Sequence, residues 1–245
     1  MRRIRVRVCG RTDAGVHAVG QVFRFRATRH DCGRAGIDGA DCLSRLLNDA
    51  LSATGVGVVR CTRAEEVTRA FHPVFGARRR AYAYAIDAAP ALGTRAAGAS
   101  LLLDEPARLD FLDAALRELE GRRLDYVGLS YGRLKTRDAY CILHHARARR
   151  CICHCDGLEL GGGGSHGEER KTKRDVVCIE LVGNRFLRRM VRLLVDAAMR
   201  LALSDPLPEG SDALLRRIEE MDRGLIVAPA PPDGLIFVGA EFEEC

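Results

Sequence analysis

Nine residues near the start of the chain gather groups that could do chemistry: Gly10-Arg11-Thr12-Asp13-Ala14-Gly15-Val16-His17-Ala18. A single carboxylate, Asp13, has a guanidinium two residues ahead of it and a glycine on each side. Glycine lets backbone approach a ligand closely. Arg11 can hold Asp13 ionised or stack on a base. An ionised Asp in a partly dry loop serves as nucleophile or general base. The same residues also make an ordinary turn in which Asp13 caps backbone amides, and the loop alone leaves both roles open.

The elements around this loop must hold it in place. Residues 3–8 alternate basic and apolar side chains and predict a half-buried strand ahead of it; Gln21–Arg26 predicts a second strand after it, with Phe23 and Phe25 on one face. Leu43, Leu46, Leu47, Ala50 and Leu51 recur at helical spacing over 41–53, and Val58–Cys61 reads as a short strand. Arg78–Ile86 alternates again, with Tyr82, Tyr84 and Ile86 in register. Ala88–Ser100, with Pro90 and several Gly and Ala, is the best linker.

Farther on, Leu109, Leu112, Ala115, Leu116 and Leu119 predict an amphipathic helix, and residues 140–150 and 175–182 a pair of strands. A Gly-rich, charged segment at about 156–174 reads as a hairpin insert. Residues 185–203 form the clearest helix, with Phe186, Met190, Val191, Leu194, Val195 and Ala198 on its buried face. Leu214, Leu215 and Ile218 mark another helix, Pro229–Gly234 a turn, and Leu235–Val238 a last strand. Hairpin-like pairs outnumber strand–helix–strand crossovers, so the class is α+β with mostly antiparallel strands and flanking helices.

Composition narrows the partners. The 245 residues are 47% hydrophobic and 29% charged, ordinary for a globular protein able to bury a core. No apolar run is long enough to span a bilayer and the start lacks a secretory pattern, so neither a membrane nor a secreted role is expected. Net charge is +6, and only Lys135, Lys171 and Lys173 among the 39 basic residues are Lys. Arginine pairs with phosphate in two contacts and stacks on bases, which fits a nucleic-acid partner, although a GC-rich genome enriches Arg as well. Ten Cys follow no disulfide framework and read as reduced thiols. Cys151-Ile152-Cys153-His154-Cys155 is their one cluster. It reads as thiols on a strand end more readily than as a zinc site, because no second ligand pair stands at a suitable distance.

Gly10–His17 resembles the catalytic loop of the pseudouridine synthases, specifically the tRNA pseudouridine synthase A family, and Gly20-Gln21-Val22 continues that family's downstream strand. Three further stretches resemble it in the right order. Phe75–Ile86 looks like the strand bearing an active-site tyrosine, here Tyr82. Gly183–Arg192 looks like the helix start bearing an active-site arginine, here Arg192. Ala230–Leu235 looks like the closing turn whose leucine, here Leu235, contacts the target base. Residues 120–174 match poorly. Taken alone, Tyr82 and Leu235 also fit core positions and Arg192 an ordinary ion pair.

The resemblance implies a pseudouridine synthase fold: a mostly antiparallel mixed sheet with flanking helices, in two ferredoxin-like or RRM-like halves around a central active-site cleft. The halves would be residues 1–95, carrying the Asp13 loop, and 96–245, carrying the insert. It implies isomerisation of uridine to pseudouridine in the anticodon stem-loop of tRNA, near positions 38–40. Asp13, Tyr82 and Arg192 would be catalytic, and Arg11, Thr12, His17, Gln21, Arg80 and Leu235 would bind substrate. No metal or cofactor is expected, because the reaction adds no group. The expected partners are tRNA and a second copy of the chain in a homodimer. The alternatives are a catalytically inactive RNA-binding relative and a zinc module built on Cys151–Cys155. The family's first strand, Gly-Trp turn and first helix are not expected in this sequence, since Met1 lies just ahead of the loop and there is no Trp; either the start is truncated or this member lacks them. The expected compartment is the cytoplasm or nucleus, or the mitochondrion if a presequence precedes Met1.

Overall fold

The computed structural model describes residues 4–54, 59–87, 101–131, 138–155, 172–220 and 228–243. The chain forms two compact units, one of Met1–Gly10, Val22–Ala77 and Phe242–Cys245, the other of Arg11–Gln21 and Arg78–Glu241.

In the smaller unit, β1 (Arg7–Val8) pairs antiparallel with β3 (Phe23–Arg24). Both are shorter than the alternation predicts. Ile4 and Val6 alternate as a strand would, yet stay exposed outside the ladder. Phe23 and Phe25 do share a face, their rings 6.4 Å apart. Two helices follow, α1 (Arg29–Arg34) and α2 (Gly39–Ala53). α2 is amphipathic but has no buried residue. The strand expected at Val58–Cys61 is not formed over its described residues, 59–61. Asn48 of α2 takes the backbone groups that a ladder would use: its amide nitrogen donates to the Cys61 carbonyl at 2.9 Å, and its oxygen accepts from the Cys61 N–H at 2.7 Å.

The larger unit is a six-stranded mixed sheet with helices. Its strands are β2 (His17–Ala18), β4 (Ala77–Asp87), β5 (Arg123–Asp125), β6 (Tyr140–Cys155), β7 (Thr172–Gly183) and β8 (Leu235–Phe242), in the spatial order β2-β8-β4-β7-β6-β5. β4 joins β7 antiparallel, and β6 joins both β7 and β5 antiparallel, whereas β2 runs parallel to β8, with His17 opposite Ile236. Tyr82 stands opposite Leu181 in the β4–β7 ladder. The helices are α3 (Pro106–Arg117), α4 (Met190–Ala202) and α5 (Ala213–Glu219). Proline at the first turn suits α3, because the missing N–H has no partner there in any helix. α4 is apolar nearly all round and is buried on every side, the central element of the core.

Helix α4 starts five residues later than its periodicity predicts. Arg189, the residue ahead of it, has φ 61°, a left-handed conformation that breaks the helix. Phe186 therefore lies before the helix, not on its face, and packs edge-on against Tyr82 at 5.1 Å. The linker at 88–100 and residues 156–171 of the insert lie outside the described residues. So do the side chains of 153–155 in the cysteine cluster. Thr172–Arg174 of the insert belong to β7. Among the described residues, no His, Cys, Asp and Glu group could hold a metal, and no helix is long and apolar enough to cross a membrane.

Candidate active site

The Asp13 loop is shaped by its fit against the turn that precedes β8. Gly15 has φ +83°, and a Cβ there would lie 3.0 Å from Pro232. Gly20 is tighter still, since a Cβ would fall 2.2 Å from the Val238 carbonyl oxygen. Val19 N–H donates to the Phe237 carbonyl at 2.9 Å, beside the β2–β8 pairing. These approaches explain the glycines on physical grounds: any side chain would push the loop off the sheet edge.

Asp13 is partly open, with 29% of its side chain accessible. Arg192 Nη1 donates to Asp13 Oδ2 at 2.7 Å. Arg192 is itself buried, near the start of the core helix α4, and its Nε donates to the Ala230 carbonyl. Its own carbonyl accepts from the Ala230 N–H at 3.0 Å. One arginine thus ties the carboxylate, the core helix and the closing turn together. A second guanidinium adjoins the same oxygen: Arg189 Nε lies 3.4 Å from Oδ2. The bond from Arg192 is charge-assisted, a kind among the stronger ones in a protein.

Tyr82 sits half-buried on β4, its ring 5.1 Å from both Phe186 and Phe237. Leu235 is buried at the start of β8, and its N–H donates to the Pro232 carbonyl at 3.0 Å. The neighbouring turn is fastened to β4 by Tyr84, whose hydroxyl donates to the Pro231 carbonyl, and by the Ala85 N–H bond to Gly234. Arg80 Nη1 donates to the Asn184 carbonyl at 2.9 Å. Asn184 in turn brackets the backbone of Ile142 through its own N–H and side-chain oxygen. Arg11, Thr12 and His17 are exposed and Gln21 is half-buried. Arg11 does not reach Asp13; its place at the carboxylate is taken by Arg189 and Arg192.

No family model matches the chain. Its sequence is 32% identical over 249 residues to the tRNA pseudouridine synthase A of Akkermansia muciniphila, covering 98% of this chain and 80% of the relative. The chain belongs to the tRNA pseudouridine synthase A family. The namesake from Roseiflexus is 31% identical over 247 residues, 99% of this chain and 77% of that protein. The one from Pseudothermotoga lettingae is 29% identical over 237 residues, 95% and 80% respectively. These likenesses run through residues 120–174, where motif reading finds little of the family.

Two residues of this arrangement escape sequence reasoning, one beside the carboxylate and one beneath that residue's guanidinium. Arg189 lies one helical turn ahead of Arg192 inside the quoted motif, so the spacing carried a signal, but it was submerged in the run Arg188-Arg189 and in a helix extended too far. Tyr131 carries the Arg189 guanidinium 4.0 Å above its ring. Nothing near Tyr131 in sequence points to it.

Proposed function

We propose that this protein isomerises uridine to pseudouridine in tRNA, with Asp13 as the reacting group. The observation that carries this is a partly accessible carboxylate, ion-paired to Arg192 at 2.7 Å, in a member of the tRNA pseudouridine synthase A family. The reaction breaks the glycosidic C–N bond, turns the uracil and forms a C–C bond to the same sugar carbon. The proton lost from C5 is matched by one gained at N1, so composition is unchanged and no group-carrying cofactor is called for. Asp13 serves as nucleophile or as proton-abstracting base.

A paired stem hides the sugar carbon, so the target nucleotide must turn out of its stack, at a cost of a few kcal/mol. Stacking on an aromatic ring offsets part of that cost. Tyr82 is the ring we assign to this role, Arg192 the cation that orients Asp13, and Leu235 the apolar contact to the base. Arg11, Thr12, His17, Gln21 and Arg80 would bind the flanking RNA, with arginine contacts to phosphate making affinity salt-dependent. We place the target uridines in the anticodon stem-loop, near positions 38–40, and the working form as a homodimer. We further read the chain as two ferredoxin-like halves, residues 1–95 and 96–245. The bacterial source of the relatives fits a cytoplasmic setting.

The test is position-resolved pseudouridine mapping on unmodified tRNA transcripts incubated with the purified protein and with Asp13→Asn. Wild type is expected to convert anticodon stem-loop uridines, and the variant to lose turnover by about a thousandfold or more while its circular dichroism stays native. Tight tRNA binding by wild type without conversion would overturn the enzymatic reading, and conversion by Asp13→Asn the role given to Asp13.

A further inference from the structure

Arg192 does not hold Asp13 alone. The guanidinium carbon of Arg189 lies 4.0 Å from the Tyr131 ring centroid, a stacked cation–π distance, and its Nε lies 3.4 Å from Asp13 Oδ2. That Nε is buried and makes no hydrogen bond, so its charge is aimed at the carboxylate without being spent elsewhere. Tyr131 is fastened in turn, its N–H donating to the Arg188 carbonyl at 3.1 Å. The Arg189 backbone is left-handed at this position, at φ 61°. A non-glycine residue held there costs about 1–3 kcal/mol and persists when its surroundings dictate it. Both guanidiniums converge on Oδ2. Among the described residues no side chain or amide donates to Oδ1.

We propose that Arg189, clamped on Tyr131, is a second positioning residue for Asp13. With Arg192 it pins Oδ2 from two directions and turns Oδ1 outward as the oxygen that meets the nucleotide. A single hydrogen bond leaves the carboxylate free to swing about its side-chain torsions. A second cation on the same oxygen, carried by the left-handed residue at the head of the helix that bears Arg192, removes that freedom. A misplacement of about 1 Å at a reacting atom can cost on the order of a hundredfold in rate. The inference rests on the reading of Asp13 as the reacting group.

Glycine adopts φ 61° without strain, so Arg189→Gly removes the guanidinium while relieving the backbone. It is expected to fold at least as well as wild type and yet to lose about 10- to 100-fold in kcat, with KM for tRNA within about threefold. Arg189→Lys keeps a cation and should recover part of that loss. Tyr131→Leu, which leaves the guanidinium unclamped, should show a smaller fall in kcat. Wild-type kcat in Arg189→Gly would overturn the proposal, and so would an effect confined to KM, which would make Arg189 an RNA contact. A second measurement needs no activity: thermal unfolding of Arg189→Gly, Asp13→Asn and the double variant should give non-additive shifts. Additive shifts would sink the pairing. If wild type itself makes no pseudouridine, the functional reading fails while this coupling remains testable.

Discussion

The two units are built on different terms. In the larger, α4 is buried along nearly its whole length and packs with α3, α5 and the sheet into one apolar core. In the smaller, Cys9 and Pro73 are the only buried residues among those described. Ile4, Val6, Phe23 and Leu46 are all exposed there. What orders the smaller unit is polar: the Asn48 clamp on Cys61, and a turn in which His72 Nδ1 accepts the N–H groups of Val74 and Phe75. The Asp13 loop lies between two segments of the smaller unit in sequence but belongs to the larger. Holding a carboxylate in one orientation takes neighbours whose own rotamers are locked, and the larger unit supplies them in Arg192 and the buried start of α4.

If that contrast is right, substitutions of equal size should weigh very differently in the two units. Gly20→Ala is expected to do the most damage, because its Cβ would fall 2.2 Å from the backbone oxygen of Val238, which cannot move aside as a side chain can. It should cost several kcal/mol, at the upper end of single-residue effects, and displace the Asp13 loop. Leu194→Ala, at a fully buried site, should cost about 2–5 kcal/mol. Leu46→Ala, on the exposed side of α2, should stay within about 1 kcal/mol. Chemical denaturation of the variants measures all three. A Leu46→Ala effect as large as that of Leu194→Ala would break the comparison. Gly36 tests the smaller unit from another side. Its φ is +67° but nothing lies within 4 Å of a Cβ there, so Gly36→Ala should show backbone strain alone, about 1–2 kcal/mol.

The contrast also explains what could be read from sequence. Where one face is buried, periodicity survives: Tyr82, Tyr84 and Ile86 alternate on β4, and Met190, Val191, Leu194 and Val195 repeat along α4. β4 stands where the pattern predicts, and α4 does so from Met190 onward. The failures occur where non-local polar bonds decide. Val59–Cys61 carries strand-forming residues, but Asn48 claims the Cys61 backbone. The extension of α4 back to residue 185 fails at a single left-handed residue whose reason, Tyr131 and Asp13, is distant in sequence. The loop motif and the positions of Tyr82, Arg192 and Leu235 could be picked out by resemblance. The replacement of Arg11 by Arg189 at the carboxylate could not, because it depends on which arginine the folded backbone aims inward.

The smallest expected effect concerns charge in the larger unit. Arg149 Nη2 donates to Glu180 Oε1 at 2.6 Å across the β6–β7 ladder, and His145 lies 3.6 Å from Oε2. The hydrogen bond from Arg149 is the main reason that the Glu180 carboxyl is held below its ordinary range, with burial opposing it and His145 assisting. The neighbouring Cys178 thiol is pushed up to about 12 by burial and adds no charge near neutrality. A carboxylate with a depressed folded pKa contributes stability that is fully present above its unfolded value and is lost as pH falls through the folded one. Wild type should therefore exceed Glu180→Gln in stability at neutral pH, by no more than about 1 kcal/mol given the exposed geometry. The gap should close as pH drops below the ordinary carboxylate range. Unfolding curves of both proteins across that interval check it. A gap that persists in strong acid would assign the difference to packing, and one that rivals Leu194→Ala would mean that the larger unit is held by its surface charges as much as by its core.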